Sequence, residues 1–169
     1  MEFLKAKETD KQEILDIFQQ GVAYFKNLGV DQWQDGYPSM AVVESDIKLG
    51  QCYIAKEQEQ IRGVIVVTAV PESDYEQLNK GAWRYDEPYT AIHRLAINKD
   101  FPAQGLSQKL LAYAEEITVG LGRQVIRVDT HEDNKGMQHI LKKQGYQLIG
   151  DLTLSDDGGE RIALDKKLK

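Results

Sequence analysis

The chain carries one cysteine, Cys52, so no disulfide framework can form within it, which fits a reducing compartment. No apolar run approaches the ~18 residues needed to span a bilayer. The opening Met1-Glu2-Phe3-Leu4-Lys5 lacks the basic and apolar regions of a signal peptide. A cytoplasmic protein without a membrane partner is expected. Positive charge is in deficit, with 21 basic against 27 acidic residues and a net charge of −6. A partner gripped by its phosphate backbone needs clustered Lys and Arg, so no nucleic acid is expected. Metal-ligand spacing is missing too: His93, His131, His139 and Cys52 form neither Cys-x-x-Cys nor His-x-x-x-His, and no metal is expected. Cys52, in an apolar strand, reads as a small core residue rather than a nucleophile. The acidity weakly favours a cationic substrate such as an amine, although most of these charges read as solvated surface.

What is present suffices for one core of ordinary size: 169 residues at 41% apolar content, without repeats or low-complexity tracts. A single domain spanning 1–169 is expected. After a short strand at 3–6, Thr9-Asp10-Lys11-Gln12 has the form of a capping box. Ile14, Leu15, Phe18, Val22 and Phe25 then recur at helical spacing, ending at Asn27-Leu28-Gly29. The loop 30–40 holds Trp33 and Tyr37, and covers a core, shapes a pocket, or both. A short helix at 41–49 precedes a hairpin of strands 52–56 and 61–70. Residues 71–88 have no clear period, carry Trp83 and Tyr85, and read as a second long loop near a functional mouth. Strand and helix alternate from there: strand 90–97, helix 105–121, strand 125–130, helix 134–144 and strand 146–151. A last strand at 161–165 follows the turn at 155–159. A parallel pair with a crossover helix, flanked by hairpins, makes an α+β fold with a mixed sheet.

The chemistry is concentrated at 92–111, where a strand, a loop and an amphipathic helix follow one another. A helix start leaves backbone N–H groups without partners, and with the dipole they favour an anion such as phosphate. Gly105 removes the side chain that would keep a pyrophosphate from these donors, and Ser107 is small and can add a hydroxyl.

Here the chain resembles the GNAT superfamily of N-acetyltransferases, in order and spacing over most of its length. That family has a strand ending Leu-x-Val, then Arg/Gln-x-x-Gly-x-Gly/Ala opening a helix. Leu95-Ala96-Ile97 fits the first part. Pro102-Ala103-Gln104-Gly105-Leu106-Ser107 fits the second in part, with Pro102 where Arg/Gln stands and Ser107 for the last Gly/Ala. A second block, Asn134 through Gly145-Tyr146, resembles the family's later helix and strand. The resemblance implies a three-layer fold, a mixed central sheet flanked by helices, with a splayed parallel strand pair forming the acyl-CoA cleft. It implies acetyl-CoA as donor, held by Leu95, Ala96, Ile97, Ala103, Gln104, Gly105, Leu106 and Ser107, with Asn134 on the pantetheine arm. The alternative for Asn134 is an N-cap.

The resemblance further implies direct attack by an amine on the thioester in a ternary complex. A backbone N–H near Leu95 or Ala96 could serve the oxyanion. The amine must arrive neutral, so a base is needed. The family's strand Glu is absent from Tyr89-Thr90-Ala91-Ile92-His93, and His93 is the natural substitute. Strand alternation puts 93, 95 and 97 on one face, and an ordinary imidazole titrates near ~6.5. The alternative is a histidine that packs and bonds a neighbour. Asp129 and His131 rank below it. The family's acid, a Tyr on the last helix, falls at Leu141, which leaves Tyr146, Tyr37 or solvent for that role. Trp33, Tyr37 and Trp83 are the expected substrate contacts, for an amine of a small molecule or peptide. Many relatives pair as homodimers, though nothing in this sequence requires it. The other reading is a non-catalytic acyl-CoA-binding or sensor module of the same fold, motivated by Leu141 and the missing Glu.

Overall fold

A computed structural model describes residues 1–101 and 105–169. The chain divides into two compact units, Met1–Val67 with Arg94–Tyr113, and Thr68–His93 with Ala114–Lys169.

In the first unit β1 (Glu2–Lys5) pairs antiparallel with β2 (Cys52–Glu57), which forms a hairpin with β3 (Gln60–Thr68). Gln58 and Glu59 both take left-handed φ values, 51° and 63°, the conformation of a two-residue turn whose twist matches the strands it joins. Apart from Gln60, β3 is buried throughout, which is why its sequence reads as one apolar run rather than an alternation.

Helix α1 (Lys11–Leu28) begins later than the capping box at Thr9 would place it. A single 3-10 turn, Glu8–Asp10, comes first, and the Asp10 carboxylate reaches back to accept from the Lys7 N–H at 2.8 Å. The tight turn carries the chain past Thr9, so the acidic residue does the reaching. Ile14, Ile17, Phe18 and Phe25 form the buried face of α1, and Gly29, at φ 69°, ends it in the left-handed conformation that glycine adopts without strain.

Helix α2 (Met40–Lys48) is capped by Ser39, whose hydroxyl accepts from the Val42 N–H. The first turns of α3 (Leu106–Gly120) bury Leu106, Leu110 and Leu111. Leu110 approaches β3 so closely that a Cβ on Gly63 would lie 2.8 Å from its Cδ1 and would have to displace that side chain.

Trp33 docks into this unit with edge-to-face contacts to Phe18 and Phe25 at 5.5 and 5.6 Å. A Cβ on Gly21 would fall 2.7 Å from the Trp33 ring. Gly21→Val is expected to lower unfolding stability by about 1–3 kcal/mol in urea titration, the usual cost of overpacking, because the ring is wedged between α1 and two aromatic neighbours. An unchanged midpoint would show that Trp33 can move aside.

The second unit orders its strands β5 (Tyr89–Ile97, through His93), β6 (Val125–Thr130), β8 (Glu160–Lys167), β7 (Gln147–Thr153) and β4 (Lys80–Gly81). β5 and β6 are parallel from Tyr89↔Val125 to Ile92↔Val128, and the other pairs are antiparallel. The fold is therefore α+β with mixed strand pairing, as the sequence leads one to expect. Within 71–88, the stretch without a period, lie a 3-10 turn (Ser73–Tyr75) and β4. Both are too short to produce a period. Tyr75, Ala91, Leu152 and Ala163 form the buried centre, with Leu78, Trp83 and Tyr89 packed against it. Leu141 of α4 (Lys135–Lys143) is fully buried, as a leucine in place of a tyrosine would be. Among the described residues, no helix is long and apolar enough to cross a membrane.

Candidate active site

The parallel ladder stops at Ile92↔Val128, while β6 continues against β8 through Asp129 and Thr130. His93 and Asp129 are thus the first residues beyond the paired stretch of each strand. Residues 72–75 attach to both. Glu72 Oε1 lies 2.8 Å from His93 Nε2, and the Tyr75 hydroxyl donates to Asp129 Oδ1 at 2.6 Å. The Glu72 N–H donates to the Tyr89 hydroxyl at 2.8 Å. The Tyr75 ring stacks near both His93 and Tyr89, with centroids 6.4 and 6.2 Å away.

Burial, and then the charge of Asp129, push the Tyr75 phenol well above its ordinary range, so it stays protonated and donates. The His93 and Glu72 side chains retain 21% and 32% exposure, enough to be reached from solvent. A carboxylate only accepts, so Nε2 carries the hydrogen and Nδ1 holds the lone pair of the neutral ring. That arrangement suits a base.

No local pattern marks Glu72 or Tyr75, because both lie in the stretch without a period and only the folded chain brings them to His93 and Asp129. Asp129 accepts from the Tyr75 hydroxyl. His131 does act locally, with Nδ1 accepting from the Asp133 N–H at 3.0 Å.

Tyr146 lies just before β7, after Gly145 at φ 86°. It is 2% exposed, and its buried hydroxyl has no hydrogen-bond partner. Burial raises its phenol well beyond the usual range, with Glu115 adding to the effect. No described contact joins it to His93. Asn134 caps α4, accepting from the Met137 N–H and donating to Thr130 Oγ1, each at 3.2 Å.

In the first unit β5 continues with Arg94 at φ 49°, a left-handed value for a residue with a side chain, which costs about 1–3 kcal/mol and persists only where the surroundings enforce it. The surroundings do. Its guanidinium grips both Asp46 oxygens at 2.8 and 2.7 Å and donates to the Tyr37 hydroxyl. Asp46 also accepts from Gln51 at 3.0 Å. The expectation that His93 and Leu95 share a face rests on uninterrupted alternation, which does not carry through this residue.

Leu95 and Ile97 are half-buried and Ala96 is buried. Asn98 ends the strand, donating from its side chain to the Ile61 carbonyl at 3.0 Å. Ala103 and Gln104 lie outside the described residues. Gly105 has φ 75°, and a Cβ there would meet nothing closer than Gln108 Oε1 at 3.7 Å. Its carbonyl accepts from the Lys109 N–H at 3.1 Å, so α3 starts with its first N–H groups lacking acceptors within the helix. The first turn of α3 has no acidic residue, Leu106 is buried and Ser107 half-buried. This is an anion-compatible helix start.

Of the aromatic residues expected at a substrate, Trp33 packs on α1 as described. Trp83 donates to the Tyr75 carbonyl at 2.8 Å and stacks on the Arg127 guanidinium at 4.5 Å. Tyr37, bound to Arg94, is 37% exposed. Cys52 is buried, and desolvation pushes its thiol up to about 12, which makes it unreactive at neutral pH.

The acetyltransferase (GNAT) family model matches residues 17–146. A GNAT-family acetyltransferase from Streptococcus agalactiae 2603 has 32% sequence identity and a TM-score of 0.89, over 99% of this chain and 95% of its own. A GNAT acetyltransferase from Listeria monocytogenes 4b F2365 shares the fold at TM-score 0.75 and 21% identity, over 99% and 94% of the two chains. The uncharacterized N-acetyltransferase YesJ of Bacillus subtilis strain 168 is 22% identical over 145 residues, 83% of this chain and 78% of its own. With its central strand, helix start and later helix all inside the matched span, this chain belongs to the GNAT acetyltransferase family.

Proposed function

We propose that the protein, acting as a single acetyltransferase domain over 1–169, transfers the acetyl group of acetyl-CoA to a primary amine of a small molecule or peptide by direct attack. The observation that carries this reading is His93, placed just past the end of the parallel ladder with Nε2 bound to Glu72. A base there removes the proton that would otherwise block the amine's lone pair.

The residues present fit the donor. Gly105 leaves its backbone open, and the first turn of α3 offers N–H groups without a competing carboxylate. Leu95, Ala96 and Ile97 supply strand backbone, Ser107 a hydroxyl, and Asn134 an amide for the pantetheine arm beside its capping role. When bound, the donor supplies a thioester whose carbonyl carbon accepts the amine. Tyr146, kept protonated by burial, is the candidate that returns a proton to the departing thiolate. Tyr37 is the aromatic residue with surface for the acceptor, while Trp33 and Trp83 shape the loops from behind.

Calorimetric titration with acetyl-CoA, followed by thiol release with spermidine, kanamycin and an alanine-initiated peptide, tests the reading. Binding with turnover supports it. Binding without turnover across a wider amine panel favours an acyl-CoA-binding module instead, the reading that the buried Leu141 motivates.

Gly105→Val is expected to weaken acetyl-CoA binding by about tenfold or more. A β-branched residue at positive φ is strained, and its branches cover the backbone donors that follow. An unaltered Kd in calorimetry would move the phosphate site elsewhere.

A further inference from the structure

Glu72 is the one carboxylate hydrogen-bonded to His93, and among the described residues no lysine or arginine pairs with it. It is held from behind, because its own N–H is bound to the Tyr89 hydroxyl. The other titratable groups about the ring are Tyr75, stacked alongside, and Asp129, whose carboxylate is occupied by the Tyr75 hydroxyl. Arg94, next along β5, turns to Asp46. Among the described residues, the one carboxylate hydrogen-bonded to the imidazole therefore comes from a loop 21 residues away in sequence, and it bonds a single ring nitrogen.

We infer that Glu72 is a positioning residue of the acetyl transfer: it fixes the Nε2–H tautomer of His93, leaves Nδ1 as the basic atom, and stabilises the imidazolium that forms. The inference rests on the proposed role of His93. In the step itself the acceptor's ammonium gives one proton to Nδ1. The amine nitrogen then forms the C–N bond with the acetyl carbon as the C–S bond breaks and the thiolate leaves with its electron pair. The nitrogen sheds its second proton to solvent to give the neutral amide, and the thiolate takes a proton from Tyr146, which solvent reprotonates. The imidazolium, paired with Glu72, holds the first proton until solvent takes it. A carboxylate behind a histidine orients the ring and favours its charged form, the logic of histidine–carboxylate pairs in hydrolases and metal sites.

The test combines ring NMR with kinetics. Long-range 1H–15N spectra of the neutral His93 ring are expected to show the hydrogen on Nε2 in the wild type and a tautomer mixture in Glu72→Ala. A wild-type ring protonated on Nδ1 overturns the inference, whatever the acceptor turns out to be. With the most active amine of the panel above, Glu72→Ala is expected to lower kcat by about 10–100-fold with acetyl-CoA Kd within about twofold, the scale seen when such supporting carboxylates are removed.

Glu72→Gln keeps the acceptor oxygen and the shape but not the charge, so it covers the case in which Glu72→Ala does not fold. The tautomer should persist while kcat falls about tenfold, and Glu72→Asp should recover part of the loss. Wild-type kcat in Glu72→Gln sinks the assignment. His93→Ala separates the two levels: if it retains full turnover, the base reading fails. If it loses turnover while Glu72→Ala and Glu72→Gln do not, only the role of Glu72 fails.

Discussion

Replacing His93 by alanine is expected to lower kcat by about 10²–10⁴-fold, the range that a positioned general base supplies, while acetyl-CoA Kd stays within about twofold. The split follows from where the residue stands. Its described contacts are with Glu72 and the Tyr75 ring, both in the second unit, whereas the backbone proposed to hold the donor, at Leu95–Ile97 and Gly105–Ser107, belongs to the first. The fold should survive. A ring with 21% exposure and one hydrogen bond is not a core residue, so a melting midpoint near that of the wild type is the control. Steady-state kinetics with saturating amine, alongside calorimetry, decides the matter. Equal turnover in the variant would leave His93 as a packing residue bonded to its neighbour.

Asp46→Ala should produce the largest loss of stability of any single change considered, about 3–5 kcal/mol, because it leaves a buried guanidinium without its carboxylate. The Arg94 and Asp46 side chains are only 12% and 5% exposed, and both Asp46 oxygens are engaged by the guanidinium. At about 2–4 °C per kcal/mol for a chain of this size, the melting midpoint should fall by on the order of 10 °C.

A functional loss should accompany it. Arg94 holds a left-handed φ of 49° immediately before Leu95 while its guanidinium is bound to Asp46. Freed of Asp46, the strand can relax toward ordinary extended geometry and shift the backbone of residues 95–97, so acetyl-CoA should bind more weakly. The double variant Asp46→Leu/Arg94→Met removes both charges. It should recover most of the stability but not the affinity, since no guanidinium remains to hold the left-handed conformation at position 94. Recovery of both would show that this conformation needs no such anchor.

The elements themselves were largely legible. Helical spacing located α1, α3 and α4, and Gly29 and Gly105 marked an end and a start that the structure places within a residue of the expected bounds. Asn134 was readable both as a cap and as a donor contact, and the structure shows the capping bond. Thr9 misled, because a capping box and a 3-10 turn with an acidic residue at its end look alike in sequence. Trp33 and Trp83 were read as substrate contacts because aromatic residues in long loops serve either a pocket or a core. Their neighbours, Gly21 and Phe18 for one and Tyr75 and Arg127 for the other, become known only on folding.

The sequence by itself determined the α+β class, the strand–helix turn at Gly105, membership in an acetyltransferase family and the candidacy of His93. The class and the turn are local, resting on periods of 2 and 3.6 residues and on backbone freedom at a glycine, whereas the family and the candidacy of His93 rest on a resemblance in order and spacing over most of the chain. The tertiary structure alone decided which side chains work together. Glu72 meets His93 across 21 residues of sequence, Asp46 meets Arg94 across 48, and Tyr75 meets Asp129 across 54. Periodicity reports only which residues share a face of one element. The meeting of a loop carboxylate with a strand imidazole depends on the path of the whole chain, which no local pattern encodes.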